Sequence, residues 1–352
     1  MQSLNKADIA RFDQQGMLGR ILNFPDQLKE ALATAQSTIF SLEKTRVQNI
    51  CVAGMGGSAI GGDIVRSCYG GVLRVPLVVN RDYRLPNFID KNSLVIVCSY
   101  SGNTEETLSA LEDAQRRGAQ IVCISSGGAI SERAASKEYP VFSVPPGYPP
   151  RSALGYLLVP ILVILHSCGL LATNPESDVL EASRVVEKYA RELHPDVENN
   201  FAKRIARRLK DKVPLIYGAV AGFEPVAMRW KGQLCENSKV LAFCNVFPEL
   251  NHNEVMGWGP LEEINQRFQV VFLHDRDDHD QVKKRMQITK EIIEKYSEEI
   301  IEVESRGESL LARIFSLVYL GDMVSLYLAI VNQVDPTSIE NIDTLKKKLA
   351  AA

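Results

Sequence analysis

The sequence has no strong excess of charge of either sign. Its 352 residues include 40 Lys and Arg against 43 Asp and Glu, which gives a formal net charge of −3. Proteins that bind nucleic acid or an anionic membrane through their overall charge carry a clear positive excess. We therefore expect no nucleic acid and no membrane as partner, and an anionic ligand would need a local site.

The sequence also lacks paired cysteine spacings and an apolar leader. The seven cysteines are odd in number and lie mostly inside apolar runs such as "NICVAG" and "IVCIS", as expected of reduced core residues rather than of a zinc site or a disulfide framework. The start, "MQSLNKADIARFDQQ", has no apolar stretch typical of a signal peptide. These features predict a cytoplasmic protein.

One segment lacks charged side chains altogether. Residues 152–172, "SALGYLLVPILVILHSCGLLA", contain no Asp, Glu, Lys or Arg over about the length that crosses a bilayer. Pro160 and His166 interrupt the run, and no basic cluster flanks it. We interpret it as a buried helix, and we interpret "SLLARIFSLVYLGDMVSLYLAIVNQ" as a second one.

Strand-like apolar runs alternate with helical patterns from residue 48 onwards, and the alternation restarts at "VPLIYGAV" after a stretch of charged helices. This is the pattern of an α/β protein with two doubly wound, flavodoxin-like parallel sheets and flanking helices. We predict a helical lead-in over 1–45, an N-terminal α/β domain over 46–170, a helical linker over 171–211 and a C-terminal α/β domain with a terminal helix over 212–352.

The stretch "CSYSGNTEET", residues 98–107, follows the strand-like run "SLVIVCS" and opens a helical pattern. Thr104 is at the predicted N-cap, and Ser99 and Ser101 precede it. Unpaired backbone N–H groups and the positive end of the helix dipole make such a turn an anion site. The alternative is that the three hydroxyls serve only the local backbone.

A glycine-rich turn, "GMGGSAIGGDI" at residues 54–64, follows the first strand. Gly54, Gly56 and Ala59 fit the dinucleotide fingerprint, but that site needs an acid at the end of the second strand, where "VPLVVNRDY" places Asn80. Glycine also allows a ligand to approach the backbone closely.

The turn therefore suits a small phosphate monoester, with Gly56 and Gly57 lying along the ligand and Ser58 adding a hydroxyl at the helix start. A tight packing turn is the alternative. Because the two turns follow neighbouring strands, they meet at one sheet edge, and together they favour a sugar phosphate as the ligand.

Beyond these two turns, four stretches follow in order: "PPRSALGY", "WKGQLCENSK", "PELNHNEVMGW" and "DPTSIENIDTLKKKL". With them the sequence resembles the sugar isomerase (SIS) domain family over nearly its whole length, and most closely its bifunctional phosphoglucose/phosphomannose isomerases. The resemblance implies two SIS domains and interconversion of glucose 6-phosphate and mannose 6-phosphate with fructose 6-phosphate through a cis-enediol, with no metal and no cofactor. It also implies a homodimer whose active site is shared between subunits.

Glu236 in "CENSK" lies at the end of a helical pattern that starts near Pro225. A carboxylate there can move a proton between C1 and C2 of the sugar. On spacing alone, an exposed helix acid paired with Lys239 is the favoured interpretation, and the resemblance reverses this preference.

The remaining roles follow from the same resemblance. His252 and Lys346 would move protons during ring opening, and Arg151 would stabilise the enediolate oxygen. Thr337 in "DPTS" would leave room for both C2 epimers. Without the resemblance, each residue has a simpler interpretation. His252 could cap the next helix, and Arg151 could form an ion pair at a hinge. The three lysines could only solvate the end of a helix, and Lys347 or Lys348 could take the role given to Lys346.

Two other functions remain open at this stage. A sugar-phosphate-binding regulator would need the two phosphate turns but has no use for Glu236, His252 and a terminal lysine together. An isomerase or deaminase of amino-sugar phosphates would keep the fold, but the sequence has no glutaminase-like region and no N-terminal cysteine nucleophile.

Overall fold

The computed structural model describes residues 4–42, 47–259 and 261–351. Its strands are β1 (Asn49–Ala53), β2 (Leu77–Asn80), β3 (Ser93–Cys98), β4 (Gln120–Ser125), β5 (Val141–Ser143), β6 (Val213–Ala219), β7 (Phe243–Phe247), β8 (Phe268–His274) and β9 (Ile301–Glu304). Its helices are α1 (Lys6–Phe12), α2 (Met17–Leu22), α3 (Phe24–Ser37), α4 (Gly56–Tyr69), α5 (Glu105–Arg116), α6 (Gly128–Ser136), α7 (Leu154–Ser167), α8 (Glu176–Glu192), α9 (Phe201–Arg208), α10 (Val220–Ser238), α11 (Glu262–Asn265), α12 (Asp280–Ile293), α13 (Leu310–Val331) and α14 (Glu340–Ala350).

The strands form two parallel sheets. The first sheet has the order β2-β1-β3-β4-β5, and the second has the order β7-β6-β8-β9. Val52 of β1 is in register with Val79 of β2 on one side and Ile96 of β3 on the other. Every residue of β3 is buried, as expected of a strand covered by helices on both faces. The predicted α/β class with two doubly wound sheets is confirmed.

The chain divides into two compact units. The first-sheet unit comprises Asn23–Glu187 and Gly307–Ile314, and the second-sheet unit comprises Met1–Leu22, Lys188–Arg306 and Phe315–Ala352. Helices α1, α2 and α3 occupy most of the described part of the lead-in, but α1 and α2 belong to the second-sheet unit and α3 to the first-sheet unit. Residues 43–46, at the predicted end of the lead-in, lie outside the described residues.

The two uncharged or nearly uncharged segments are helices, as predicted. All residues from Leu154 to Leu165 of α7 are buried. Helix α13 is long and apolar enough to cross a membrane by length and composition, but 94% of its most apolar window is buried inside the protein. Burial of this extent is typical of the core helix of a globular protein.

The core of the first sheet also contains cysteines. Cys51, Cys98 and Cys123 lie on the adjacent strands β1, β3 and β4 and are fully buried. Burial raises the pKa of each of these thiols to about 12, because the thiolate loses its hydration. They remain protonated at neutral pH, in agreement with their interpretation as core residues.

Candidate functional site

The glycine turn after β1 lies against the chain around Arg151. Gly56 has a φ of +47° and begins α4. A Cβ atom on Gly57 would lie 2.8 Å from the carbonyl carbon and oxygen of Pro150 and 2.9 Å from the backbone nitrogen of Arg151. Only glycine fits between these backbone atoms, and the close approach brings Arg151, which is 5% exposed, to the turn.

The turn after β3 is organised by its own hydroxyl groups. The Ser99 Oγ lies 2.9 Å from the Thr104 Oγ1 and accepts a hydrogen bond from the Gly102 backbone N–H at 3.2 Å. Asn103 N–H donates to the Ser101 Oγ at 3.3 Å. Thr104 occupies the N-cap position of α5, as predicted, but its hydroxyl is directed at Ser99 and does not cap the helix.

Ser58 joins the two turns. Its Oγ accepts a hydrogen bond of 3.1 Å from the backbone N–H of Tyr100, and the residue is 5% exposed. The six residues predicted to bind phosphate in the first-sheet unit therefore lie in two turns that touch each other, at the carboxyl ends of β1 and β3. In parallel α/β sheets this edge is the usual place of the ligand.

A third turn, between β4 and α6, is hydrogen-bonded to the turn after β3. No role for it was predicted from the sequence. Ser126 donates through both its N–H (3.0 Å) and its Oγ (2.6 Å) to the carbonyl of Tyr100. Asn103 Oδ1 accepts from the Ala129 N–H at 3.0 Å. The stretch "ISSGGAI" follows a strand and opens a helix like the other two turns, so the same pattern could have indicated it.

Glu236 lies on the last turn of α10, in the second-sheet unit. Residues 221 and 222 are non-helical, so the regular part of α10 starts close to Pro225, as predicted. Glu236 is half-buried and lines a cavity of about 510 Å³. The other residues lining this cavity are Cys235, Lys239, Val334, Asp335, Ser338, Ile339, Glu340, Asn341 and Ile342.

The segment carrying Thr337 forms one wall of the Glu236 cavity. Thr337 N–H donates to the Asp335 Oδ1 at 2.7 Å, which closes a tight turn within "DPTS". Residues on both sides of Thr337 thus line the same cavity as Glu236, about a hundred residues away in sequence, but Thr337 is not itself one of the lining residues. Sequence spacing contained no signal for this pairing.

His252 and Lys346 are both exposed. His252 ends a short 3₁₀ helix, Glu249–His252, that follows β7. The loop is anchored by Glu254, whose carboxylate accepts hydrogen bonds from the Tyr217 hydroxyl and the Asn245 amide. Lys346 lies in the middle of α14, where Lys347 and Lys348 are exposed as well.

Metal-ligating side chains do not cluster within the described ranges. No group of three or more His, Cys, Asp or Glu side chains in residues 4–42, 47–259 and 261–351 could hold a metal ion. In the stretch "ELNHNE", which contains His252, the Glu254 carboxylate is bonded to Tyr217 and Asn245.

Two parallel sheets of this order, with hydroxyl-lined turns at the ends of neighbouring strands, define a protein of the SIS-domain class. The SIS domain family model matches residues 45–139, and the model of the bacterial phospho-glucose isomerase C-terminal SIS domain matches residues 198–349. The chain belongs to the family of bifunctional phosphoglucose/phosphomannose isomerases.

The similarity behind this assignment extends over nearly the full chain. The bifunctional phosphoglucose/phosphomannose isomerase of Caldicellulosiruptor bescii is 44% identical over 337 residues, 95% of this chain and 99% of that protein. The protein of the same name from Thermoplasma acidophilum is 38% identical and covers 86% of this chain and 90% of its own. The C-terminal domain of glucosamine-fructose-6-phosphate aminotransferase from Francisella tularensis shares the fold, with a TM-score of 0.70, 17% identity, and coverage of 92% and 98% of the two chains.

Proposed function

We propose that this protein interconverts glucose 6-phosphate and mannose 6-phosphate with fructose 6-phosphate through a cis-enediol, without a metal or a cofactor. The observation that carries the proposal is that Glu236 and the Thr337 segment line one cavity of about 510 Å³ in a chain of this family. A cavity of this size is sufficient for the carbon chain of a hexose.

The phosphate group is assigned to the two turns of the first-sheet unit. Backbone N–H groups in the first turns of α4 and α5 and the hydroxyls of Ser58, Ser99, Ser101 and Thr104 would provide donors for phosphate oxygens. Gly56 and Gly57 allow the ligand to approach the backbone. Because the net charge of the chain is slightly negative, these local donors must supply the affinity.

Glu236 is assigned as the base. Its carboxylate would remove the proton from C2 of the open-chain aldose and return it to C1, while a proton moves from O2 to O1 to give the ketose. Arg151, which is always charged, would stabilise the negative oxygen of the enediolate between these steps. Thr337 would leave space for the C2 hydroxyl in either orientation, so that both epimers react.

His252 and Lys346 are assigned to ring opening, which transfers a proton between O1 and the ring oxygen. All three candidate lysines lie on α14, and Lys346 is favoured among them by the resemblance to the family. His252 is exposed, which is compatible with a role in the active site of a partner subunit.

Shared active sites in a homodimer lead to a test by mixing subunits. We expect His252→Ala and Glu236→Gln each to be nearly inactive, and co-expression of the two to restore about a quarter of the wild-type activity. Half of the dimers would then be mixed, and each mixed dimer would contain one site with both residues intact. A mixture that is dimeric by light scattering but inactive would contradict the shared site, and a monomer would contradict the dimer.

The location and domain boundaries are part of the same proposal. The buried, protonated cysteines of the first sheet support a reducing cytoplasm. Matches of family models to residues 45–139 and 198–349 support an SIS domain in each half of the chain, proposed over 46–170 and 212–352, although the second match begins at residue 198, inside the proposed linker.

The substrate assignment is tested by incubating the purified protein in EDTA with glucose 6-phosphate, mannose 6-phosphate or glucosamine 6-phosphate. We expect fructose 6-phosphate from the first two and no ammonia from the third. Turnover of glucosamine 6-phosphate alone would favour an amino-sugar enzyme. Binding of hexose phosphates without turnover of any would favour a regulator.

A further inference from the structure

The helix that carries Glu236 ends in an uncommon backbone conformation. Lys239 is the residue after α10 and has φ 59° and ψ 34°, in the left-handed region. Its N–H and that of Val240 both donate to the Leu234 carbonyl. Glycine is the usual residue at this position, because a Cβ atom is disfavoured in the left-handed conformation. A lysine in this place indicates that its side chain has a use.

The Lys239 ammonium group bridges two segments. It donates to the Glu236 carbonyl at 2.6 Å and to the Asn237 carbonyl at 3.4 Å, and also to the Asp335 carbonyl at 2.8 Å. The first two are carbonyls of the last helical turn, which lack partners within the helix. A positive charge at this end of a helix is also favoured by the helix dipole.

Asp335, the residue that Lys239 reaches across the cavity, is held by hydrogen bonds of its own side chain. Asp335 uses one carboxylate oxygen to accept the Thr337 N–H at 2.7 Å and the other to accept the Gln15 side-chain amide at 3.0 Å. Through these bonds, the position of the Asp335 carbonyl determines the position of the turn that contains Thr337.

The body of α10 is held by other contacts. Its buried polar side chains bond to α13: Asp322 accepts from Arg229 and from Gln233, each at 2.7 Å, and the Asn237 amide donates to Ser325 at 3.0 Å. These contacts fix the helix without Lys239. The exposed lysine therefore contributes little to folding, and its effect is confined to the helix end.

We propose that Lys239 is a positioning residue that holds the Glu236 end of α10 at a fixed distance from the Asp335–Thr337 turn. This inference rests on the proposed roles of Glu236 and Thr337. Loss of the bridge would let the two walls of the cavity move relative to each other, so the base would be misplaced against the C1–C2 edge of the bound sugar.

The test compares Lys239→Met, Lys239→Arg and the control Lys231→Met, an exposed lysine on the same helix. Methionine and arginine leave the cost of the left-handed backbone unchanged. We expect Lys239→Met to lower kcat for both hexose phosphates by about ten- to a hundredfold with KM within about threefold, since small misplacements have effects of this size. Arginine should restore most of kcat, and the melting temperature should fall by no more than about 3 °C.

Amide hydrogen exchange over residues 334–342 provides a readout that does not depend on the reaction. We expect faster exchange there in Lys239→Met than in Lys231→Met. Equal kcat and equal exchange in these two variants would overturn the proposal, as would a loss of kcat that follows the loss of stability and is not restored by arginine. If wild-type protein lacks isomerase activity, the proposed function fails, and exchange alone decides whether the bridge exists.

Discussion

Glu236→Gln is expected to lower kcat for glucose 6-phosphate and mannose 6-phosphate by about a thousandfold, within the range that a general base contributes. Glutamine keeps the size and hydrogen-bonding capacity of the side chain but cannot accept the proton from carbon. Because the phosphate-binding turns are unchanged, KM should remain within about threefold of the wild-type value. The measurement is a coupled assay of fructose 6-phosphate formation with each substrate.

Two controls accompany this variant. Glu263→Gln, an exposed acid on α11, should leave kcat unchanged. Glu236→Asp should retain more activity than Glu236→Gln, because it keeps a carboxylate one methylene further from the substrate. If Glu236→Gln keeps more than a tenth of the wild-type kcat for either sugar, another residue is the base.

Gly102→Ala is expected to lower kcat/KM by about a hundredfold, mainly through KM, because the phosphate turn must change shape. Gly102 has a φ of +69°, and a Cβ there would collide with the Gly127 carbonyl oxygen and lie 2.9 Å from the Ser125 Oγ. The Gly127 carbonyl oxygen is held by the Ser125 and Ser131 hydroxyls, which donate to it. The β4–α6 turn is itself bonded to the turn after β3 through Ser126 and Ala129, so moving it away would break these bonds.

Gly118→Ala is the matched control for this effect. Gly118 has a φ of +68°, and its added Cβ would meet only the Lys91 Cβ, at 3.9 Å. Both alanine variants should lose about 1–2 kcal/mol of stability to the left-handed backbone, and Gly102→Ala should lose about 1–3 kcal/mol more to the collision. Only Gly102→Ala should lose affinity for phosphate. Equal kinetics in the two variants would show that the turn after β3 does not bind the phosphate group.

The sequence was sufficient to predict the sheets and the turns of the first-sheet unit. Continuous β-branched runs that alternate with helical patterns are typical of a helix-covered parallel sheet, and hydroxyl and glycine residues directly after such runs indicate a ligand edge. The contact of Ser58 with Tyr100 follows from this logic, since β1 and β3 are neighbours. The residue roles themselves stay predictions.

The sequence did not predict which residues far apart in the chain lie close together in the structure. Nothing in the sequence spacing indicates that Glu236 and the residues flanking Thr337 line a common cavity, because the cavity depends on how α10 packs against α13. Lys239 illustrates the same limit: the helical spacing suggested an ion pair with Glu236, whereas the ammonium also binds three backbone carbonyls. The assignment of α1 and α2 to the second-sheet unit likewise depends on tertiary contacts that leave no local pattern.

The most direct test of metal-free isomerisation through an enediol is deuterium incorporation. Wild-type protein would be incubated in D₂O and EDTA with glucose 6-phosphate or mannose 6-phosphate, and the fructose 6-phosphate analysed by NMR. We expect product from both sugars, with solvent deuterium at C1 in at least part of it, because a proton held on the Glu236 carboxylate can exchange before its return. Deuterium at C1 would exclude a direct hydride shift from C2 to C1, whereas loss of turnover in EDTA, or product from only one of the two sugars, would contradict this account.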